Sequence, residues 1–253
     1  VDGQLSASPP FRSPHHTTST AGMIGGGSPP RPGEVSLAHR GILFLDELPE
    51  FRRDLLESLR QPLEDGTVTV TRARASVEFP ARIMLVAAMN PCPCGQAGSD
   101  VRCRCAAGEV ERYRQRLSGP LLDRIDIQIE VPRRPYQETQ KTPAGEDSEA
   151  MRQRVTAARA RQERRYAMAA GKAARVHLNA AVPPKLLKEK VDLASAAEKL
   201  LAQAVDGLGL SARAADKILR VAFTIADLAG RDKVIEADIA EAVSYRVLDK
   251  RYR

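Results

Sequence analysis

The sequence predicts an α/β domain built on a parallel sheet, followed by a domain made of helices. Three apolar segments of strand length, 41–46, 82–88 and 125–131, recur in the first half of the chain. The intervals between them are long enough for crossover helices, which favours parallel strands. Beyond residue 148 the apolar residues fall instead at helical spacing, as at Leu210 and Ala214.

The first predicted strand ends in two adjacent acids, Asp46 and Glu47. Four apolar residues in a row predict a strand buried on both faces, and open α/β sheets bind ligands where such strands end. Asp46 would hold the water shell of a phosphate-bound Mg²⁺, and Glu47 would polarise an attacking water. The alternative is a plain apolar strand followed by an Asp-Glu helix start.

Further elements follow in order along the chain. We expect a helix from Arg52 to about residue 61, and then an inserted hairpin with strands at 67–71 and 76–79. Residues 133–148 are polar and rich in helix breakers, so they are predicted to be a linker. Beyond this linker we expect only helices, two of them starting at Ser211 and Asp232.

Composition narrows the function classes. The 253 residues are enough for one large and one smaller domain, and the net charge of +7 permits nucleic-acid contact without requiring it. No apolar run approaches the length of a membrane span, and no signal segment opens the chain, so we expect a cytoplasmic protein without membrane contact. The chain begins at Val1 without an initiator Met, which suggests a piece of a longer protein.

Several motifs occur in the order typical of AAA+ ATPases. Residues 45–47, 89–91, 121–126 and 210–213 resemble Walker B, sensor 1, the arginine finger and sensor 2. The hairpin at 67–79 resembles the pre-sensor-1 hairpin of the branch that contains magnesium chelatases and replicative helicases. Four longer motifs resemble the magnesium-chelatase-like YifB/ComM family: residues 11–16, 32–39, 45–51 and 90–95.

The resemblance implies a domain organisation and an assembly. Residues 1–132 would form a partial AAA+ nucleotide-binding domain that binds ATP and Mg²⁺. Residues 133–148 would be the linker, and residues 149–253 would form an α-helical lid. Because the arginine finger and sensor 2 act between units, the resemblance also implies a homo-oligomeric ring, namely a hexamer.

The resemblance also implies roles for three further residues. Asn90 would orient the attacking water or the terminal phosphate, Arg124 would reach the ATP of a neighbouring subunit, and Arg213 would couple the lid to the nucleotide. Each residue has an alternative interpretation. Asn90 could simply form an Asn-Pro turn, and Arg124 could form an ion pair with Asp123 or Asp126. Arg213 could be a solvated arginine on the face of a helix.

One element of the AAA+ pattern is missing. The sequence has no Gly-x-x-x-x-Gly-Lys-Ser/Thr, so the phosphate-cradling loop is absent from these residues. In the family this loop, a neighbouring strand and a Lon-like amino-terminal domain lie upstream. We therefore expect ATPase activity of the full-length protein and none of this chain alone.

For the intact protein the resemblance implies ATP-driven DNA helicase or branch-migration activity during DNA uptake and recombination. Arg72 and Arg74 at the hairpin tip are the predicted DNA contacts, although a solvated basic turn is the alternative. The arginine-rich helix at 149–169 is a second candidate, although such helices are usually solvated. Other interpretations are a magnesium-chelatase motor subunit that drives porphyrin metallation, and a non-catalytic assembly module.

Four cysteines follow the predicted sensor 1 segment at short spacing: Cys92, Cys94, Cys103 and Cys105. They could bind a structural Zn²⁺, or they could be reduced thiols without a ligand, because the spacing within each pair is shorter than in common zinc knuckles. Chelatase motor subunits have an acidic run at this place, so the cysteines favour the DNA-acting branch. Three histidines, His15, His16 and His39, could be ligands or substrate contacts, but we expect them to be loop histidines without a role.

Overall fold

The computed structural model describes residues 8–72, 75–98, 102–132, 145–167 and 178–246. These residues form two compact units, which divide after Ile125. The first unit contains a parallel sheet and the second is mainly helical, so the predicted α/β fold class with a helical carboxyl-terminal region is confirmed.

The sheet of the first unit has three parallel strands in the order β1-β4-β7. The predicted strands at 41–46 and 82–88 are confirmed as β4 and β7, whose residues pair from Ile42 with Met84 to Leu45 with Ala87. The strands of this unit are β1 Phe11–Arg12, β2 Gly25–Gly26, β3 Arg31–Pro32, β4 Ile42–Leu45, β5 Thr67–Arg72, β6 Ala75–Pro80 and β7 Met84–Ala87.

Short helices connect and cover these strands. The helix predicted from Arg52 is two helices, α3 and α4, which meet at Leu59. The helices of this unit are α1 Thr20–Ile24, α2 Glu34–Leu37, α3 Arg53–Ser58, α4 Arg60–Asp65, α5 Ala107–Arg114 and α6 Gly119–Leu122, with a 3₁₀ turn at Leu48–Glu50.

Only one face of β4 is fully buried. Leu43 and Leu45 have no exposed surface and pack in the core, because alternate residues of a strand point to the same side. On other strands of the sheet, Phe11 and Met84 are 62% and 58% exposed. We expected the first strand to be buried on both faces. This expectation is wrong, because the described residues of the unit pack against only one face of β4.

The third predicted strand, 125–131, is wrong. The side chains of Ile127, Ile129 and Val131 are 53%, 67% and 81% exposed, and the segment makes a single β-bridge, between Gln128 and Arg246. An alternating apolar pattern becomes a strand only where a neighbouring strand accepts its backbone hydrogen bonds. Among the described residues, no strand runs beside this segment.

The inserted hairpin is confirmed. β5 and β6 pair antiparallel from Thr67 with Pro80 to Arg72 with Ala75. Val68 and Val70 are buried in the core, which anchors one face of the hairpin. Of the two predicted DNA contacts, Arg72 is the last residue of β5, and Arg74 lies outside the described residues.

The second unit contains five helices and one small sheet within its described part. The helices are α7 Ser148–Ala167, α8 Pro184–Lys190, α9 Ser195–Leu208, α10 Ala212–Leu228 and α11 Glu236–Ser244. A 3₁₀ turn lies at Asn179–Ala181. We expected only helices beyond the linker, but this unit also contains two short parallel strands, β8 Asp192–Leu193 and β9 Lys233–Val234.

The two predicted helix starts have different outcomes. Ser211 caps α10, because its hydroxyl oxygen accepts the backbone N–H of Ala214 at 3.2 Å. Asp232 does not start a helix; it pairs with Arg161, and α11 begins at Glu236. At the start of α11, the acid that accepts a backbone hydrogen bond is Asp238 and not Asp232. Its carboxylate accepts the backbone N–H of Ile235, the residue just before the helix.

A buried ion pair fixes α7 against α10. The Arg165 guanidinium binds the Asp227 carboxylate through two nitrogens and lies 3.8 Å from the centre of the Phe223 ring. The Asn179 amide also donates to Asp227 at 2.9 Å.

None of the described helices combines the length and the hydropathy that crossing a membrane requires.

Candidate functional site

Parallel pairing brings the ends of two strands to the same edge of the sheet. The ladder continues past β4 and β7, because Ala88 N–H donates to the Leu45 carbonyl at 3.0 Å and Leu48 N–H donates to the Ala88 carbonyl at 2.9 Å. Asp46 and Asn90 follow these paired residues, so both emerge at the carboxyl edge, where α/β sheets bind ligands.

The two acids after β4 lie in a tight turn. Glu47 has a left-handed backbone, with φ at 51° and ψ at 46°, and its N–H donates to Asp46 Oδ1 at 2.9 Å. The chain then enters the 3₁₀ turn, which leaves both carboxylates exposed. A non-glycine residue in this conformation is uncommon and is concentrated at functional sites.

His16 contacts the second acid. Its Nδ1 lies 3.3 Å from Glu47 Oε2. Sequence reasoning favoured no role for this histidine and missed the contact. A signal was available, because His16 follows β1, and the carboxyl end of β1 lies beside that of the parallel strand β4.

Asn90 is exposed at the end of the β7 segment. Its backbone N–H bonds to the hydroxyl of Tyr113 on α5. Burial, and next the negative charge of Glu50, raise the pKa of Tyr113, so the phenol stays neutral. Arg116 connects the same region to the turn after Glu47, because its Nη1 donates to the Pro49 carbonyl at 3.1 Å.

Arg124 is held within its own unit. Its Nε donates to the Arg60 carbonyl at 3.1 Å, its Nη1 to the Pro120 carbonyl at 2.7 Å, and its Nη2 pairs with Glu64. An ion pair was the alternative interpretation, but the partner is Glu64, on α4. Reaching a neighbouring subunit would require these bonds to break, and that role stays a prediction.

The remaining basic candidates lie in the second unit. Arg213 is exposed near the start of α10, and its sensor role stays a prediction. On α7, Arg152, Arg154, Arg161 and Arg165 each pair with an acid. This internal neutralisation weakens the case for the helix as a DNA contact.

The four cysteines converge, with all four sulfurs within 4.8 Å of one another and none in a disulfide. Cys92 Sγ lies 3.5 Å from Cys94 Sγ and 3.8 Å from Cys103 Sγ, and Cys94 Sγ lies 3.5 Å from Cys103 Sγ. Zinc–sulfur bonds of about 2.3 Å in a tetrahedron separate the sulfurs by about 3.8 Å. The cluster therefore has the ligand type and the size of a tetrahedral metal site.

The surroundings of Cys94 favour its deprotonated, thiolate form. Backbone N–H groups of Arg104 and Gln96, and the thiol of Cys105, lower the pKa of Cys94 to about 6. The backbone N–H of Cys94 lowers the pKa of Cys105, but bonding to the Cys94 sulfur and burial outweigh it and raise that pKa to about 12. A bound divalent cation would favour the thiolate form of each ligand.

His39 has a structural contact. Its Nδ1 accepts the backbone N–H of Arg82 at 3.1 Å, which ties the start of β4 to the segment before β7. Burial, and then the charges of Arg40 and Arg82, lower its pKa. The neutral ring is the form that can accept this hydrogen bond.

The parallel sheet with acids after one strand and an amide after the next, together with a helical second unit, is the architecture of an AAA+-like core and its α lid. Family models agree. The model described as "Magnesium chelatase, subunit ChlI" matches residues 1–139, and "Magnesium chelatase, subunit ChlI C-terminal" matches residues 145–246. The chain therefore belongs to the magnesium-chelatase family.

Within this family, the chain is similar to the ComM and YifB group. It is 45% identical to "Competence protein ComM" of Haemophilus influenzae, over 94% of this chain and 45% of that protein. It is also 45% identical to YifB of Escherichia coli K12, over 95% of this chain and 46% of that protein. An uncharacterized protein of Mycobacterium bovis is 43% identical over 97% of this chain and 48% of its own length. The chain thus spans about half the length of these relatives.

The His39 contact predicts a pH effect on stability. Its folded-state pKa lies below the ordinary 6.5, so the unfolded chain takes up a proton first as the pH falls. The stabilisation should be complete above pH 6.5 and should be lost as the pH falls through the folded-state pKa. Thermal melts across this range should show a steeper loss for the wild-type chain than for His39→Gln. Equal slopes would contradict the assignment.

Proposed function

We propose that this chain supplies the hydrolytic half of an ATP site in a ring-forming motor that acts on DNA. The observation that carries the proposal is that Asp46 and Glu47 follow β4 and Asn90 follows β7, so the parallel pairing of these strands directs all three residues to the carboxyl edge of the sheet. Acids and an amide at such an edge suit the hydrolysis of a bound phosphate chain. Membership of the magnesium-chelatase family, which depends on ATP and Mg²⁺ in general, supports it.

Each residue would have a separate task. Asp46 offers exposed carboxylate oxygen, the donor that Mg²⁺ prefers, and would hold the ion through water. When bound, Mg²⁺ would neutralise charge on the phosphates. Glu47 would accept the proton of the attacking water, and Asn90 would orient that water or the terminal phosphate through its amide. Arg124 and Arg213 would act from a neighbouring subunit and from the lid.

The proposal that DNA is the substrate rests on two observations. One relative carries the name "Competence protein ComM", which associates that protein with DNA uptake. In this chain, β5 is anchored by the buried Val68 and Val70 and ends at Arg72, and Arg74 follows it in the sequence before β6 begins. Arginines there would bind phosphates without reading bases.

A chelatase motor subunit that drives metal insertion into a porphyrin is the second candidate. The descriptions of both matching family models favour it. The four clustered cysteines at 92–105 favour the DNA-acting branch instead. Chelatase motor subunits have a run of acidic residues at this place, whereas this chain has cysteines. In isolation, the chain would serve only as an assembly module.

We propose further that the cysteine cluster binds one structural Zn²⁺. The sulfur separations of 3.5–3.8 Å fit a tetrahedral thiolate site, and the Ala97 N–H donates to Cys92 Sγ at 3.3 Å, as stabilised thiolates require. Zinc would then tie the segment after Asn90 to the start of α5.

The first test concerns hydrolysis. The purified chain should hydrolyse no ATP, because the phosphate-binding loop is absent from these residues. In a longer, ring-forming protein that carries these residues and that loop, Glu47→Gln should bind ATP normally and hydrolyse it more slowly by roughly two to four orders of magnitude. Glu50→Gln, on the same turn, is the matched control and should keep its rate. A Glu47→Gln protein with a normal rate would remove Glu47 from the site.

The second test concerns zinc. Metal analysis of protein prepared without chelator should find about one Zn per chain, and Cys103→Ser should lower this content sharply, because a structural site uses four ligands. Cobalt substitution should give the absorption of tetrahedral cobalt thiolate. A metal-free protein that folds normally and has four titratable thiols would contradict the proposal.

The third test concerns DNA. In the ring-forming protein, Arg72→Ala with Arg74→Ala should weaken single-stranded DNA binding and reduce the salt slope by about one unit per lost contact. Basal ATPase should survive, because Arg72 and Arg74 have no part in the proposed hydrolytic step.

A charge-matched control is Arg152→Ala with Arg159→Ala on α7, which should leave DNA affinity and its salt slope close to those of the wild type. If the hairpin variant binds DNA with unchanged affinity and the α7 variant binds it more weakly, the hairpin is not the DNA contact and α7 is.

A further inference from the structure

The contact between His16 and Glu47 is not required by the proposed roles, and it involves the residue on which hydrolysis depends. His16 Nδ1 lies 3.3 Å from Glu47 Oε2, and the side chains are 30% and 53% exposed. Within the described ranges, no other side chain lies within ion-pair distance of this carboxylate. The direction of the Glu47 side chain therefore depends on His16 and on the backbone of the turn.

The histidine ring is itself held in place. The His15 ring lies against it, with centroids 4.0 Å apart, and His15 Nδ1 lies 3.0 Å from the hydroxyl oxygen of Thr17. On another side, the Phe51 ring meets His16 edge-on at 6.4 Å. Phe51 is buried in the core directly after the 3₁₀ turn that follows Glu47. The ring is thus fixed to the same turn that carries the carboxylate.

The geometry leaves the carboxylate able to act on water. His16 engages one oxygen, Oε2, and the Glu47 side chain remains half exposed, so Oε1 stays available to accept a proton. The left-handed backbone of Glu47 fixes where the side chain leaves the chain. A general base must lie within hydrogen-bond reach of its proton, and small misplacements of a reacting group are costly in rate.

We propose that His16 is a positioning residue for Glu47, which it aims at the attacking water through the contact with Oε2. This inference rests on the proposed function, because it takes Glu47 as the base. In this role His16 acts only through Glu47.

The contact can be tested in this chain without hydrolysis. Nuclear magnetic resonance of chain labelled with ¹⁵N histidine should show the His16 imidazole resonances shifted in Glu47→Gln and unchanged in the control Glu50→Gln. Unchanged His16 resonances in both variants would overturn the contact, and with it the inference.

The role is tested by kinetics in the longer, ring-forming protein. His16→Ala should lower kcat by about ten- to hundredfold with KM for ATP nearly unchanged, because a misaimed base slows the reaction without loosening the nucleotide. His16→Asn, which keeps an N–H near the position of Nδ1, should retain most of the rate. His15→Gln, which alters the stacked ring and leaves the contact with Glu47, should lose less than His16→Ala.

A double-mutant cycle separates positioning from a direct role. In the Glu47→Gln background, His16→Ala should cause no further loss, since its effect passes through the missing carboxylate. A further loss in that background, a kcat unchanged by His16→Ala, or a rise in KM that matches the loss in rate would each overturn the inference. If Glu47→Gln alone keeps the normal rate, the assignment of Glu47 fails first, while the resonance test still reports on the contact.

Discussion

The parallel pairing of β4 with its two neighbours is the constraint on which the candidate site depends. β4 lies between β1 and β7, and its register with β7 runs from Ile42 with Met84 to Leu45 with Ala87. Because all three strands run the same way, their carboxyl ends lie at one edge of the sheet, and the residues that follow them leave the sheet at that edge. Leu43 and Leu45, fully buried, hold this arrangement through the core.

The cysteine cluster is coupled to the same edge through covalent and packed connections. Cys92 is two residues from Asn90, and α5 begins two residues after Cys105. Tyr113 of α5 meets the backbone of Asn90, and Arg116 reaches the carbonyl of Pro49 and the carboxylate of Glu50. A metal in the cluster would therefore tie the residues after Asn90 to the segment that leads into α5.

The sequence predicted the elements for which the local pattern and the packing agree, and it failed where tertiary contacts decide the outcome. The apolar runs before Asp46 and Asn90 and the alternating hairpin were recognisable because local pattern and packing agree there. Residues 125–131 carry an equally good strand pattern, but among the described residues no strand lies beside them to accept their hydrogen bonds. The contacts of His16 with Glu47 and of Arg124 with Glu64 depend on tertiary approach, which spacing along the chain does not encode.

We propose that Asp46, Glu47 and Asn90 form one hydrolytic site. The most direct measurement is the ATPase rate of Glu47→Gln, Asn90→Ala and the double variant, in a ring-forming protein that carries these residues. If base and amide act on the same water, the double variant should lose little more rate than the more damaged single variant. Losses that multiply in the double variant would show that the two residues act independently and would contradict the account.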